Sequence, residues 1–233
     1  MKTIRTIRSL LVASTLAATA AFAANPLDDI ATAEGLTKVQ VKGIDLAYRR
    51  EGVSLAPYNK LIVMPVEVAF HKSWDPRRPG SNLKMSANEI ANIRNGVARI
   101  VQEEFEKALK AAGGWQLVKD PGPDVLRLTP KIMNLYVNAP DTRQAGVRTF
   151  TVSAGEMTLL LEMHDSETGA ILARAIDRQE SRDTGMWNIG SSVTNAAETQ
   201  AIAARWGKIL RDRLDKARDA AQPAKAQAAK PKK

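Results

Sequence analysis

The sequence predicts an α/β fold of α+β-like character, a mixed, mostly antiparallel sheet with two long amphipathic helices packed on it. Three observations carry that prediction. A stretch that starts at Ser86 repeats apolar residues at the helical period. Two alternating segments meet at a tight turn around Gly169. A second periodic stretch closes the globular part, so the elements run strand, helix, several strands, helix.

The chain opens with Lys2, Arg5 and Arg8, then an apolar run from Leu10 and a series of small residues, which is the layout of an export signal. Ala21-Phe22-Ala23 fits the small-x-small pattern of a cleavage point, so residues 1–23 are expected to be removed near Ala23. A retained membrane helix is disfavoured, because the run is rich in Ala and Thr and falls short of the roughly 20 residues a span needs. No later segment comes closer, so no transmembrane helix is expected. Residues 24–57 read as an irregular leader with short edge strands near Val39, Val41 and Leu46–Tyr48.

A single sandwich domain is expected over residues 58–221. Leu61-Ile62-Val63-Met64 is an unbroken apolar run, as expected of a strand covered on both faces. Pro65 interrupts it, and Val66, Val68 and Phe70 then alternate. Ser86 and Glu89 form a capping box, each side chain meeting the other residue's free backbone N–H. Ile90, Ile93, Val97, Ile100, Val101, Phe105 and Leu109 make one stripe, and Gly113-Gly114 stops the helix. "WQLV" at 115–118 is a short strand, and "VLRLTPKIMNLYVNA" at 125–139 is one strand interrupted at Pro130, or two. "GEMTLLLEMHD" alternates through Met157, Leu159, Leu161 and Met163, "SETGA" turns the chain, and "ILARAIDRQE" returns. A loop over about 181–194 leads to a last helix, with a second capping box at Asn195 and Glu198 and a stripe of Ile202, Trp206, Ile209, Leu210 and Leu214. Residues 222–233 are low in complexity, with no apolar residue larger than Ala, and are expected to stay unfolded.

Composition removes several function classes. The chain has no cysteine, so disulfides, thiol catalysis, thiolate metal sites and a lipid anchor on cysteine are all ruled out as expectations. Of the net charge of +9, three positive charges belong to the export signal and four to the tail, which leaves +2 on residues 24–221. A nearly neutral globular part argues against nucleic acid as a partner.

Three blocks carry a family resemblance: "GIDLAYRREGVSLAPYNKLIVMPVEVAFHKSWD", "EMHDSETGAILARAIDR" and "RWGKILRDRLD". They resemble the signature blocks of a bacterial envelope family, domain-of-unknown-function family 3313, many of whose members are lipoprotein-like. The resemblance spans roughly residues 43–216, with Tyr58, Pro65, Val66, Trp74, Asp165, Thr168-Gly169, Asp177 and Trp206 as its anchors. It implies an envelope location and supplies no activity. This chain departs from the lipoprotein-like members in lacking the lipid-bearing cysteine. The order of elements is more loosely similar to small α/β domains of periplasmic assembly factors, which work by binding other proteins.

Candidate sites are few. A zinc site on His71 and His164 with Asp75 and Asp165 would have to converge from separate strands, and no close-spaced ligand motif supports it. His164 lies opposite Met163 in the strand alternation, so it is expected to face solvent. There is no G-x-S-x-G elbow, Walker loop or G-x-G-x-x-G, so no cofactor is expected. Trp206 and Trp115 are expected in the core, whereas Trp74 and Trp187 lie in polar loops. The simpler expectation for those two is a lid over a sheet edge. The alternative is binding, with His71, Trp74, Asp75, Arg77, Arg78 and Trp187 as candidate residues, since Trp and Arg are enriched at hot spots. Lys225, Lys230, Lys232 and Lys233 would give the tail a weak, salt-sensitive attraction to anionic surfaces. The leading expectation is a non-enzymatic periplasmic domain that binds an envelope protein or a cell-wall polymer. An envelope hydrolase with a spatially assembled site and a self-associating structural protein are the alternatives.

Overall fold

The computed structural model describes residues 32–77, 82–111, 113–137, 149–151, 155–180, 188–190 and 192–219. The expected export signal, the basic tail with its four lysines, Arg78 and Trp187 lie outside those residues. The strands are β1 (Leu36–Val39), β2 (Leu46–Arg50), β3 (Lys60–Val63), β4 (Glu67–Phe70), β5 (Gln116–Leu117), β6 (Val125–Val137), β7 (Thr149–Thr151), β8 (Gly155–Asp165), β9 (Ile171–Glu180) and β10 (Asn188–Gly190). The helices are α1 (Ala87–Lys110) and α2 (Ser192–Asp219).

Eight strands form one sheet in the order β1-β2-β9-β8-β6-β3-β5, with β4 also on β6, and β7 pairs β10 separately. The β1–β2, β2–β9, β8–β9 and β6–β8 pairs are antiparallel, whereas β3 and β4 run parallel to β6 and β3 parallel to β5. The sheet is therefore mixed and mostly antiparallel. The alternation of β6 and β8 sends Leu126, Leu128, Ile132, Leu159 and Leu161 to the helix side, where all are buried. The same core takes Val97, Val101, Phe105 and Leu109 from α1 and Ala203, Trp206, Leu210 and Leu214 from α2. The opposite face carries Arg127, Thr129, Lys131, Glu162 and His164, in cross-strand register.

One-sided cover corrects the expectation for the first apolar run. Leu61 is buried, but Ile62 and Val63 are only half-buried and Met64 is exposed. A run of four apolar residues reads the same whether one face or both are covered, and here the helices cover one.

Pro130 does not interrupt its strand. It sits in register opposite Leu161 within a continuous β6. Leu128 accepts from the Met64 amide, so Leu128, and with it Pro130, turns its peptide groups toward β3 and β4. On that side Pro130 meets the gap between Val63 and Glu67, which Pro65 opens, so the amide hydrogen that proline lacks would have had no strand partner. The irregularity of β6 lies further on, at Asn134, whose φ is 53°.

The two helices touch closely at Gly207. A Cβ there would stand 3.0 Å from the Ala108 Cβ and 3.2 Å from the Glu104 carbonyl oxygen. The capping box of α1 is present, with the Ser86 amide 2.7 Å from Glu89 Oε2 and the Glu89 amide 3.3 Å from Ser86 Oγ. At the other end, the Leu109 carbonyl oxygen accepts from the Trp115 amide at 2.8 Å and from the Arg211 guanidinium of α2 at 2.9 Å, so a helix end and its neighbour are joined there. Asp215 ties this junction by accepting from Arg211 and, at 3.0 Å, from Trp115 Nε1. Helix α2 starts at Ser192, so Asn195 lies inside its first turn and not at the cap expected for it.

Candidate functional site

Five of the residues that anchor the sequence resemblance meet in two groups, Tyr58 with Asp165 and Thr168, and Asp177 with Trp206. The Tyr58 hydroxyl donates to Asp165 Oδ2 at 2.9 Å, across 107 residues of chain. The other oxygen of Asp165 accepts from the Thr168 amide and hydroxyl, each at 2.7 Å, which closes the turn before β9. Gly169 takes φ 72° in that turn, a conformation glycine reaches at no steric cost. Burial and then the bond to Asp165 push the Tyr58 hydroxyl up to about 12. The Thr168 amide, the Thr168 hydroxyl and Tyr58 hold Asp165 below its ordinary carboxylate value.

Asp177 is fully buried and accepts at Oδ2 from Trp206 Nε1 and Gln179 Nε2, each at 2.7 Å. Its Oδ1 accepts from the Asp45 amide at 3.1 Å. Three donors make a buried carboxylate tolerable, and they join β9, α2 and the approach to β2. These groups are consumed by the fold and offer nothing to a substrate.

The polar loop after β4 is different. The His71 amide donates to the Leu135 carbonyl, and the Trp74 amide returns to the His71 carbonyl, which makes a turn. That turn folds the Trp74 ring back over Phe70, stacked at 4.2 Å between centroids with the planes 8° apart. The Trp74 Nε1 donates to the Val137 carbonyl at 3.0 Å, and the Arg94 guanidinium of α1 lies 5.7 Å from the Phe70 ring centre. Trp74 is thus a lid on the end of β4 and β6, half-buried and fixed on both ring and nitrogen. Ser73 directs its amide and hydroxyl at His71 Nδ1, so a neutral His71 carries its proton on Nε2. Asp75 and Arg77 pair at 2.5 Å with half of each side chain exposed. Arg77 bridges Lys84 across the loop, and the Met85 amide reaches the Pro76 carbonyl. Lys72, Lys84 and Arg94 are exposed and have no ion-pair partner among the described residues.

His71, Trp74, Asp75 and Arg77 therefore lie together at one corner of the sheet. His164 does not join them. It stands opposite Arg127 on β6, eight positions before Leu135, to which His71 bonds. A strand rises about 3.3 Å per residue, so the two histidines are roughly 26 Å apart. Nor does His164 face open solvent. Its side chain is 12% exposed, with Nε2 3.4 Å from Glu162 and Nδ1 3.2 Å from the Gly169 carbonyl. The cause is the neighbouring ion cluster, in which Arg174 binds Glu162 and Glu34 at 2.6 Å each. Glu34 comes from a segment distant in sequence, which a strand pattern does not reveal. Among the described residues no three acidic or histidine side chains group as metal ligands, and no helix is long and apolar enough to cross a membrane.

A model for the family described as "Protein of unknown function (DUF3313)" matches residues 29–210. No curated protein matches the chain. Among solved structures, the chain is similar to protein XCC0632 from Xanthomonas campestris, described under family DUF330, with TM-score 0.40 and 13% identity over 79% of this chain and 95% of that one. A PelC dodecamer subunit from Paraburkholderia phytofirmans matches at TM-score 0.36 and 9% identity, over 71% and 96%. The hypothetical protein CT253 from Chlamydia trachomatis matches at 0.35 and 11%, over 70% and 99%.

Proposed function

The chain belongs to the DUF3313 family of proteins of unknown function, and from that premise we propose that it is an exported, periplasmic, non-enzymatic domain that binds an envelope component through the corner built on Trp74. One observation carries the reading. Two carboxylate–aromatic pairs among the residues that mark the family in this chain are bonded internally, Tyr58 to Asp165 and Trp206 to Asp177, whereas Trp74 lies on the loop after β4. In the loop after β4, Trp74 and Arg77 stay at least partly open to solvent. The export signal read from residues 1–23 supports the location.

The test is crosslinking in intact envelopes, comparing the native chain with a variant carrying Trp74→Ala and Arg77→Ala. Loss of specific crosslinked species in the variant, at unchanged abundance, is the expected result. An unchanged pattern removes the corner as the contact. The hydrolase alternative receives no support from the histidines, which stand at different ends of β6.

A further inference from the structure

We infer that the Trp74 corner is a subsite for an anionic polysaccharide, and this rests on the binding reading above. Three features of the corner select that ligand class. The first is the ring itself. Its Nε1–H is consumed by the Val137 carbonyl and one face by Phe70, so the ring offers contact through its remaining π surface and not through a hydrogen bond. A surface of that kind suits the C–H face of a pyranose. The stack on Phe70 and the bond to Val137 hold it in place before any ligand arrives, which lowers the cost of ordering on binding.

The second is charge. Lys72, Lys84 and Arg94 lack carboxylate partners among the described residues, and Asp75, the acid within the loop, is already paired to Arg77. A ligand bearing carboxylates along its length would meet these cations and spare the exposed Asp75–Arg77 pair.

The third argues against an extended peptide as occupant. Such a peptide would add to the edge of β4 that pairs with no other strand among the described residues, and three features obstruct that edge. Pro65 cuts the strand from β3, a register shift falls between Val68 and Phe70, and Glu67 projects a charge that Lys131 holds at 3.2 Å. Proline, bulge and charge are the devices that prevent strand addition.

The experiment is electrophoresis of the purified protein through native gels containing polygalacturonate or, separately, neutral dextran. The expected result is retardation by polygalacturonate alone, weakening with added salt, and about tenfold weaker in Trp74→Ala. Trp74→Ala keeps the net charge, so it separates the corner from attraction by charge elsewhere on the chain. Retardation equal to the native protein in that variant overturns the inference, as does equal retardation by dextran or none at all. Because Trp74→Ala removes a packed ring, Lys72→Gln with Lys84→Gln serves as a second variant on exposed positions. It is expected to lose a similar factor with an unchanged melting midpoint, and full retention overturns the subsite. Crosslinks that depend on Trp74 without any retardation by polygalacturonate would leave the binding reading standing and remove the saccharide.

Discussion

Tyr58 gives its hydroxyl to a carboxylate that Thr168 already holds through two groups, and that arrangement sets how both residues titrate. The fold raises Tyr58 from 10.0 to about 12, so it favours the protonated phenol. The corresponding stability is complete below pH 10 and drains away as pH rises through about 12. Asp165 is depressed, so its contribution is complete above the ordinary carboxylate range and is lost as pH falls through its lowered value. Ultraviolet titration should show a tyrosine ionisation near 12 that is lost in Tyr58→Phe. An ultraviolet titration identical in the native protein and Tyr58→Phe above about pH 11 would contradict the geometry. The same substitution should cost about 1 kcal/mol in urea unfolding. Asp177 is the harsher case, because Asp177→Ala leaves the Trp206 and Gln179 nitrogens and the Asp45 amide without their acceptor. A loss on the order of 3 kcal/mol is expected, partly restored when Trp206→Phe is added, in a double-mutant cycle read by urea midpoints.

At the scale of elements, close contact between α1 and α2 makes Gly207 a sensitive position. Gly207→Val should lower stability by about 1–3 kcal/mol, since its branches would strike Ala108 and the Glu104 carbonyl. A thermal midpoint unchanged from the native protein would show that the helices can separate freely. Elements whose signal is local were readable in advance. β8 and β9 fall where alternation and the Gly169 turn put them, and the Ser86–Glu89 box starts α1. Elements whose state depends on a distant partner were not. Whether Pro130 breaks β6 is decided by the gap between β3 and β4, and the orientation of His164 by Glu162 in the cluster that Glu34 completes. The candidate corner was legible as a list of residues, His71 to Arg77, and Trp74 as a lid over a sheet edge, but the groups that hold the lid were not. Nothing in the local sequence says that Trp74 would find the Val137 carbonyl 63 positions away.

For the whole molecule, the long strands β6, β8 and β9 lie at the centre of the sheet and meet the core, while β1 and the two-residue β5 are its margins. Amide exchange should therefore be slowest in β6 and β8 and fastest in β1 and β5, with the difference approaching the global unfolding free energy. Uniform protection across the sheet would refute that ordering. The guanidinium of Arg211 on the Leu109 carbonyl has a consequence for how the domain is made. A ribosome delivers α1 about a hundred residues before the side chain that joins it to α2, and Asp177 before the indole that helps to offset its burial. Until the last helix emerges, the core lacks Ala203, Trp206, Leu210 and Leu214, and only α1 covers that face of the sheet. A chain cut short before Trp206 is expected to be digested faster than the whole protein in limited proteolysis, and equal survival would refute that dependence. The terminal helix thus acts as a proof of completeness for the folded core, which its last apolar residue, Leu214, closes.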